Sequence, residues 1–253
     1  MALSKEFHGK CAYCETPVKV ESGWGSFDHF RPKASAKGTK EIAKQHYWWL
    51  AYTWENMYLS CPNCNKYKSS WFPVKGKRGH LNLPHRKLIE AEDNLILDPC
   101  YDRPDEHFVF NPDGTITPFT EYGDTTVELL QLNRKDLIRS RKLASKEFIE
   151  TAEHFEKLWK ANDWNEDESF KIAESLCHQL VDVFLNYPKL PYGGAILNIV
   201  ERWLNSDLNR ADFILKNKKP RHYNKGFARA LHQYRKQILL ARKGIPVRKQ
   251  ETG

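Results

Sequence analysis

The pattern of apolar and polar positions changes character along the chain. Up to about residue 122 the apolar residues fall in short runs with little helical period. From about residue 124 they recur at three- and four-residue spacing. Over Glu166–Asn186, Phe170, Ala173, Leu176, Cys177, Leu180 and Phe184 form one apolar stripe. Tyr187-Pro188 ends it, because the residue before a proline is pushed out of helical conformations. Cys177, on that stripe, reads as a buried hydrophobe. Leu137, Phe148, Ala152, Phe155 and Trp159 predict a long helix before it, with Asn133 and Asp136 as capping signals. Two further helices are predicted over 194–204 and 224–243, the latter with Phe227, Leu231, Tyr234 and Ile238 on one face. In the first half, His107–Phe110 and Thr115–Phe119 read as a β-hairpin around Asn111-Pro-Asp-Gly114. Gly76–Gly79 reads as a loop. The expected fold is α+β in three parts: residues 1–76, a hairpin-containing extension 77–123, and a helical region 124–253 with a basic end.

With 253 residues and 32 aromatic side chains there is material for one large domain or two small ones. No apolar run is long enough for a spanning helix, and Met1–Glu6 lacks the apolar stretch of a secretion signal, so a cytoplasmic protein is expected. The net charge of +8 is unevenly spread. Residues 1–80 carry +7, residues 81–209 carry −10, and residues 210–253 carry +11. Basic ends around an acidic middle suggest a nucleic-acid partner at the ends.

Six cysteines change the picture further. Four lie in two close pairs, Cys11-Ala-Tyr-Cys14 and Cys61-Pro-Asn-Cys64. A two-residue gap lets both sulfurs turn toward one ion, so the four predict a structural Zn²⁺ with no open coordination position. The 46 residues between the pairs exceed the insert of a plain zinc ribbon and allow a β-hairpin leading into a helix that opens near Asn65–Lys68. Inside and just after this bracket stand Asp28, His29, Asn56 and Asn65. Asp28 and Asn65 offer hard oxygen ligands for a catalytic Mg²⁺ or Mn²⁺. His29 can take a proton from water near neutral pH, and Asn56 can hold the hairpin loop and orient the imidazole. Arg31, Lys33 and Lys68 are candidates for phosphate contact, with Pro32 extending the segment that presents the first two. His80 and His85, near Arg78 and Arg86, are further candidates for substrate contact. The aromatic run Tyr47, Trp48, Trp49, Tyr52, Trp54 and Tyr58 suits core packing better than base stacking.

Phe27-Asp-His-Phe-Arg-Pro-Lys33, Tyr47–Tyr52, Trp54-Glu-Asn56 and Ser60–Lys68 resemble the PtuB-like HNH endonucleases, effectors of Septu and retron-associated anti-phage systems. The similarity continues through Ile96-Leu-Asp-Pro99 and Leu130-Gln-Leu-Asn-Arg134. The resemblance implies a zinc-stapled, treble-clef-like ββα-metal core, with His29 matching the family's first His and Asn56 its middle Asn. Asn65 stands where many HNH enzymes have His. A PtuA-like ATPase partner is also implied, as is hydrolysis of nucleic acid, with DNA favoured over RNA. The alternative is a non-catalytic zinc-stapled module that binds nucleic acid or serves assembly.

Overall fold

The computed structural model describes residues 2–19, 22–160, 165–216, 218 and 225–244. After a short helix α1 (Ala2–Glu6), strands β1 (Ser26–His29) and β4 (Met57–Ser60) pair antiparallel in the register Ser26–Ser60, Phe27–Leu59, Asp28–Tyr58 and His29–Met57. Between them a second antiparallel pair forms from β2 (Ala36–Lys37) and β3 (Ile42–Ala43). Helix α2 (Pro62–Lys68) follows β4 at once. Cys61 caps it, its Sγ accepting from the Cys64 N–H at 3.4 Å, and Pro62 suits the first helical position, where its missing N–H would have had no partner.

The core of this half forms where β1 and β4 meet the segments around them. Phe30, Tyr47, Leu50, Tyr58, Phe72, Leu88 and Ile96 are buried together. Phe30 stacks on Tyr58 at 5.4 Å between ring centroids and meets Phe72 edge-on at 5.3 Å. Residues beyond the loop at Gly76 contribute directly: β5 (Val74–Lys75) pairs with β6 (Asp93–Asn94), and α3 (His85–Ala91) carries the buried Leu88. Strands β7 (Phe108–Phe110) and β8 (Ile116–Pro118) form the hairpin predicted around Asn111–Gly114. Helix α4 (Glu121–Leu129) then begins at Thr120, whose side chain accepts from the Gly123 N–H.

The chain divides once, into Met1–Arg139 and Ser140–Gly253, and the division falls within helix α5 (Lys135–Lys160). This differs from the three parts expected at residues 76 and 123. The reason is physical: residues 77–139 supply β6, Leu88 and Ile96 to the same core and cannot stand apart from it. Asn133, expected as a cap of α5, holds both backbone groups of Ile116 with its amide at 2.8 Å.

The second unit is helical. Helix α6 (Glu166–Asn186) has the predicted bounds and Asn165 as its cap. Helices α7 (Gly193–Asn205) and α9 (Lys225–Arg242) lie within one residue of their predicted limits. Helix α8 (Leu208–Lys216) was not anticipated. Here Phe155 stacks on Phe227 at 4.3 Å, and the Arg210 guanidinium lies 4.2 Å from the centre of the Trp203 ring. Cys177 is buried on its stripe. The end of the basic tail, from residue 245, lies outside the described residues. Among the described residues no helix is long and apolar enough to cross a membrane.

Gly123 marks the tightest contact of the β7–β8–α4 corner. A Cβ there would stand 2.3 Å from the His107 carbonyl oxygen, a backbone atom that cannot step aside. Gly123→Ala is expected to destabilise the first unit by about 1–3 kcal/mol, the range for overpacking, seen as a lower urea midpoint.

Candidate metal centre and the His29 site

Two segments far apart in sequence deliver four sulfurs to one point. Cys11–Cys14 form a tight turn whose Ala12 N–H donates to the Leu59 carbonyl at 2.8 Å, fastening it to β4. Cys61 and Cys64 come from the end of β4 and the first turn of α2. The ligand atoms of Cys11, Cys14, Cys61 and Cys64 all lie within 4.8 Å of one another, and all four residues are buried. Sulfurs at about 2.3 Å from a tetrahedral zinc lie roughly 3.8 Å apart. The Cys14 and Cys61 sulfurs stand 3.7 Å apart, so the set can hold an ion such as zinc.

A cation not anticipated as part of this centre approaches it. The Arg134 guanidinium places Nη1 3.8 Å from Cys64 Sγ, and Nη2 3.8 Å from Cys14 Sγ and 4.0 Å from Cys61 Sγ. Its Nη1 also donates to the Leu130 and Gln131 carbonyls at 3.3 Å, which orients the group. Four thiolates around a divalent ion leave a net negative charge in a buried place, and a fixed guanidinium offsets it. Arg134 lies in the Leu130–Arg134 motif, but nothing in its spacing pointed to the cysteines.

The other candidate residues gather on β1 and α2. Alternation along the strand puts Ser26 and Asp28 on one face and Phe27 and His29 on the other. Asn65 Nδ2 donates to Ser26 Oγ at 2.6 Å, so α2 brings Asn65 to the Asp28 face. Asp28 is buried, and its Oδ2 takes two bonds, from Tyr13 OH at 2.5 Å and from Lys68 Nζ at 3.0 Å. Lys68 Nζ also donates to the His29 carbonyl at 2.8 Å. Burial holds the Lys68 ammonium below its usual pKa, with Asp28 opposing, and burial followed by the Asp28 charge pushes the Tyr13 hydroxyl well up.

His29 closes β1, and its Nε2 lies 2.9 Å from the Ala51 carbonyl oxygen. A carbonyl only accepts, so Nε2 carries a proton, and in the neutral ring Nδ1 is the nitrogen with the free lone pair. Asn56, fully buried, accepts from the Arg31 N–H at 2.8 Å and donates to the Arg31 carbonyl at 3.0 Å and the Leu50 carbonyl at 3.3 Å. It therefore fixes the loop leaving β1 through its backbone and makes no bond to the imidazole itself.

Three acceptor atoms take no hydrogen bond among the described residues: Asp28 Oδ1, Asn65 Oδ1 and His29 Nδ1. The two hard oxygens belong to residues of the Ser26–Asp28 face and suit a small divalent ion, while the basic nitrogen, on the other face at the end of β1, suits a proton acceptor.

The basic candidates separate. Lys33 is exposed. Arg31 and Lys68 are fully buried, which corrects the expectation that both present charge to a phosphate. Arg31 Nε pairs with Glu92 Oε2 at 3.0 Å, and Glu92 Oε1 accepts from Tyr47 OH at 2.6 Å and the Gly79 N–H at 3.0 Å. These cations are structural because each neutralises a carboxylate that the fold has buried. His85 is buried beside Arg31, 3.4 Å from its Nη1, and burial followed by the Arg31 charge holds it below the usual histidine pKa. His80 is exposed. The aromatic run also separates: Tyr47 and Tyr58 are buried, whereas Trp48, Tyr52 and Trp54 are exposed.

Comparison with known proteins agrees with the motif resemblance to PtuB. The chain is 33% identical over 150 residues to Septu protein PtuB of Bacillus mycoides (strain KBAB4), covering 57% of this chain and 50% of that protein. It is 25% identical over 217 residues to Septu protein PtuB of Bacillus thuringiensis, covering 85% of this chain and 70% of that one. It is also 32% identical over 148 residues to Septu protein PtuA of Bacillus mycoides (strain KBAB4), covering 58% of this chain and 20% of that protein. The chain thus spans about half the length of the first of these relatives and a fifth of the PtuA protein. No family model and no solved structure matches it.

Two outcomes are expected. The purified chain should carry one zinc per molecule by elemental analysis, and Cys61→Ser should lose it together with thermal stability. Arg31→Ala should cost about 3–5 kcal/mol in chemical denaturation, because Glu92 is left as an unpaired buried carboxylate.

Proposed function

We propose that the chain is a metal-dependent HNH endonuclease that hydrolyses phosphodiester bonds of nucleic acid, DNA foremost. In this reading it is the cytoplasmic effector of a Septu-type anti-phage defence system and works with a PtuA-like ATPase. The similarity to proteins named Septu PtuB and PtuA supports the place in a defence system and the choice of partner. The observation that carries the nuclease reading is the set of uncommitted acceptors at β1 and α2, Asp28 Oδ1, Asn65 Oδ1 and His29 Nδ1.

The chemistry follows from those atoms. Mg²⁺ or Mn²⁺ bound at Asp28 and Asn65, keeping several waters, would stabilise negative charge on the phosphate and on the leaving oxygen. A phosphodiester lying across the end of β1 meets His29. Nδ1 takes a proton from water as its oxygen bonds to phosphorus, and the P–O bond to the departing sugar breaks with its electron pair on oxygen. The Ala51 carbonyl keeps the imidazole in the tautomer this step needs. Asn56 holds the turn after His29 by gripping both backbone groups of Arg31. Lys68 and Tyr13 restrain Asp28 through Oδ2 and leave Oδ1 for the ion. The sulfur centre takes no part in the reaction, because four protein ligands close a tetrahedral zinc.

The competing reading, a non-catalytic zinc-stapled module for nucleic-acid binding or assembly, draws on the same Asp28–Lys68 pair, since a carboxylate already neutralised has a structural use. A cleavage assay separates the two. With Mg²⁺ or Mn²⁺, and with a PtuA-like ATPase present, the native chain should cut plasmid or oligonucleotide. His29→Ala should reduce the rate by at least about a hundredfold, the contribution of a general base, while keeping its zinc. Unchanged cleavage in His29→Ala, or none with any divalent ion, would sink the nuclease reading.

A further inference from the structure

The rings exposed around His29 are accounted for neither by the core nor by the three acceptor atoms. Phe27 shares the His29 face of β1 and is 47% exposed. The Ala51 carbonyl that receives the imidazole N–H is followed by Tyr52, which is 97% exposed, and Trp54 lies two residues on at 47%. On the other side of this segment the Tyr47 N–H donates to the Pro32 carbonyl at 2.9 Å. Trp48, 59% exposed, and the exposed Lys33 both leave that junction. One exposed ring is ordinary on a protein surface, but four fall on the two segments that meet at the His29 imidazole, Phe27 on one and Trp48, Tyr52 and Trp54 on the other. The core is not short of room for aromatics here. Tyr47, Leu50 and Tyr58 from the same stretch are buried, and the exposed rings alternate with them.

We propose that these rings together form a stacking platform for an unpaired nucleic-acid strand, so that the substrate of the His29 site is single-stranded polynucleotide. The proposal rests on the nuclease reading above and names its substrate class. A flat ring set in water next to a proton acceptor matches the apolar face of a base, and that face is available only when the base has left its duplex. A duplex offers phosphates and groove edges to such a surface and leaves the rings wet. Lys33, exposed and next in sequence to the Pro32 that bonds Tyr47, supplies a cation for the backbone of the stacked strand. Stacking reads any base, so the platform sets strandedness rather than sequence.

Binding and cleavage are tested apart by working in the full-length His29→Ala chain, which retains the platform. Fluorescence anisotropy should be measured with a labelled 20-mer as single-stranded DNA, as single-stranded RNA of the same sequence, and as duplex DNA. The single strands are expected to bind about tenfold or more tightly than the duplex and to quench tryptophan fluorescence. Adding Trp48→Ala and Tyr52→Ala together should weaken single-strand binding by about tenfold or more, with duplex binding little changed. Both side chains are exposed, so zinc content and thermal unfolding should stay unchanged and serve as the folding control. The DNA and RNA arms decide which sugar the site prefers. Equal affinity for duplex and single strand, no binding of either, or indifference to the double substitution overturns the platform and leaves the rings to a protein partner. None of those results touches the nuclease reading, which stands or falls on cleavage by the native chain.

Discussion

Sulfur convergence is the constraint on which the first unit depends. The turn at Cys11–Cys14 and the corner at Cys61–Cys64 are separated by 46 residues, and their sulfurs meet within 4.8 Å. Closing so long a loop carries a large entropic penalty in an unlinked chain. Four ligands on one ion would offset that penalty and also fix an angle, because Cys61 follows β4 directly and caps α2. The direction in which α2 leaves the sheet is therefore set at the metal centre. That direction brings Asn65 to Ser26 and Lys68 to Asp28. Arg134, reaching three of the sulfurs, draws the turn before α5 into the same assembly.

Buried ion pairs do the second part of the positioning. Arg31–Glu92 and Lys68–Asp28 are both out of water. Replacing such a pair by apolar groups of the same volume is often neutral or stabilising, so net stability is a weak reason for having one. What a buried pair supplies is direction, since each charge has one acceptable partner. Glu92 collects Arg31, Tyr47 and the Gly79 N–H and so ties the residues after β1 to the start of β6. Lys68 does the same for α2 and β1, reaching both the Asp28 carboxylate and the His29 carbonyl.

Features governed by local spacing were legible in the sequence. The cysteine pairs, the hairpin at Asn111–Gly114 and the limits of α6 follow from two-residue gaps, turn residues and helical period, and each agrees with the structure. Features governed by long-range pairing were not. Arg31 and Lys68 looked like surface cations because nothing local marks Glu92 or Asp28 as their partner, yet both are fully buried. The boundary expected at residue 76 failed for the same reason, since the extension is held to the first unit by Glu92, Ile96 and β6. The aromatic run misled differently: its alternation carries two populations, one for the core and one for the surface, and composition does not distinguish them.

The site residues are individually unremarkable, and what sets them apart is which of their atoms the fold has used. Asp28 is restrained through one oxygen, Asn65 through its amide nitrogen and His29 through Nε2. Here Asp28 is oriented by two bonds to one oxygen, Asn65 and His29 by one side-chain bond each, and each keeps an acceptor open. Asn56 reaches the same end indirectly, holding the backbone on either side of Arg31 so that the turn after His29 cannot relax. Acceptors held in place by neighbours that bond to their other atoms are what the proposed hydrolytic centre would require before an ion and a substrate arrive.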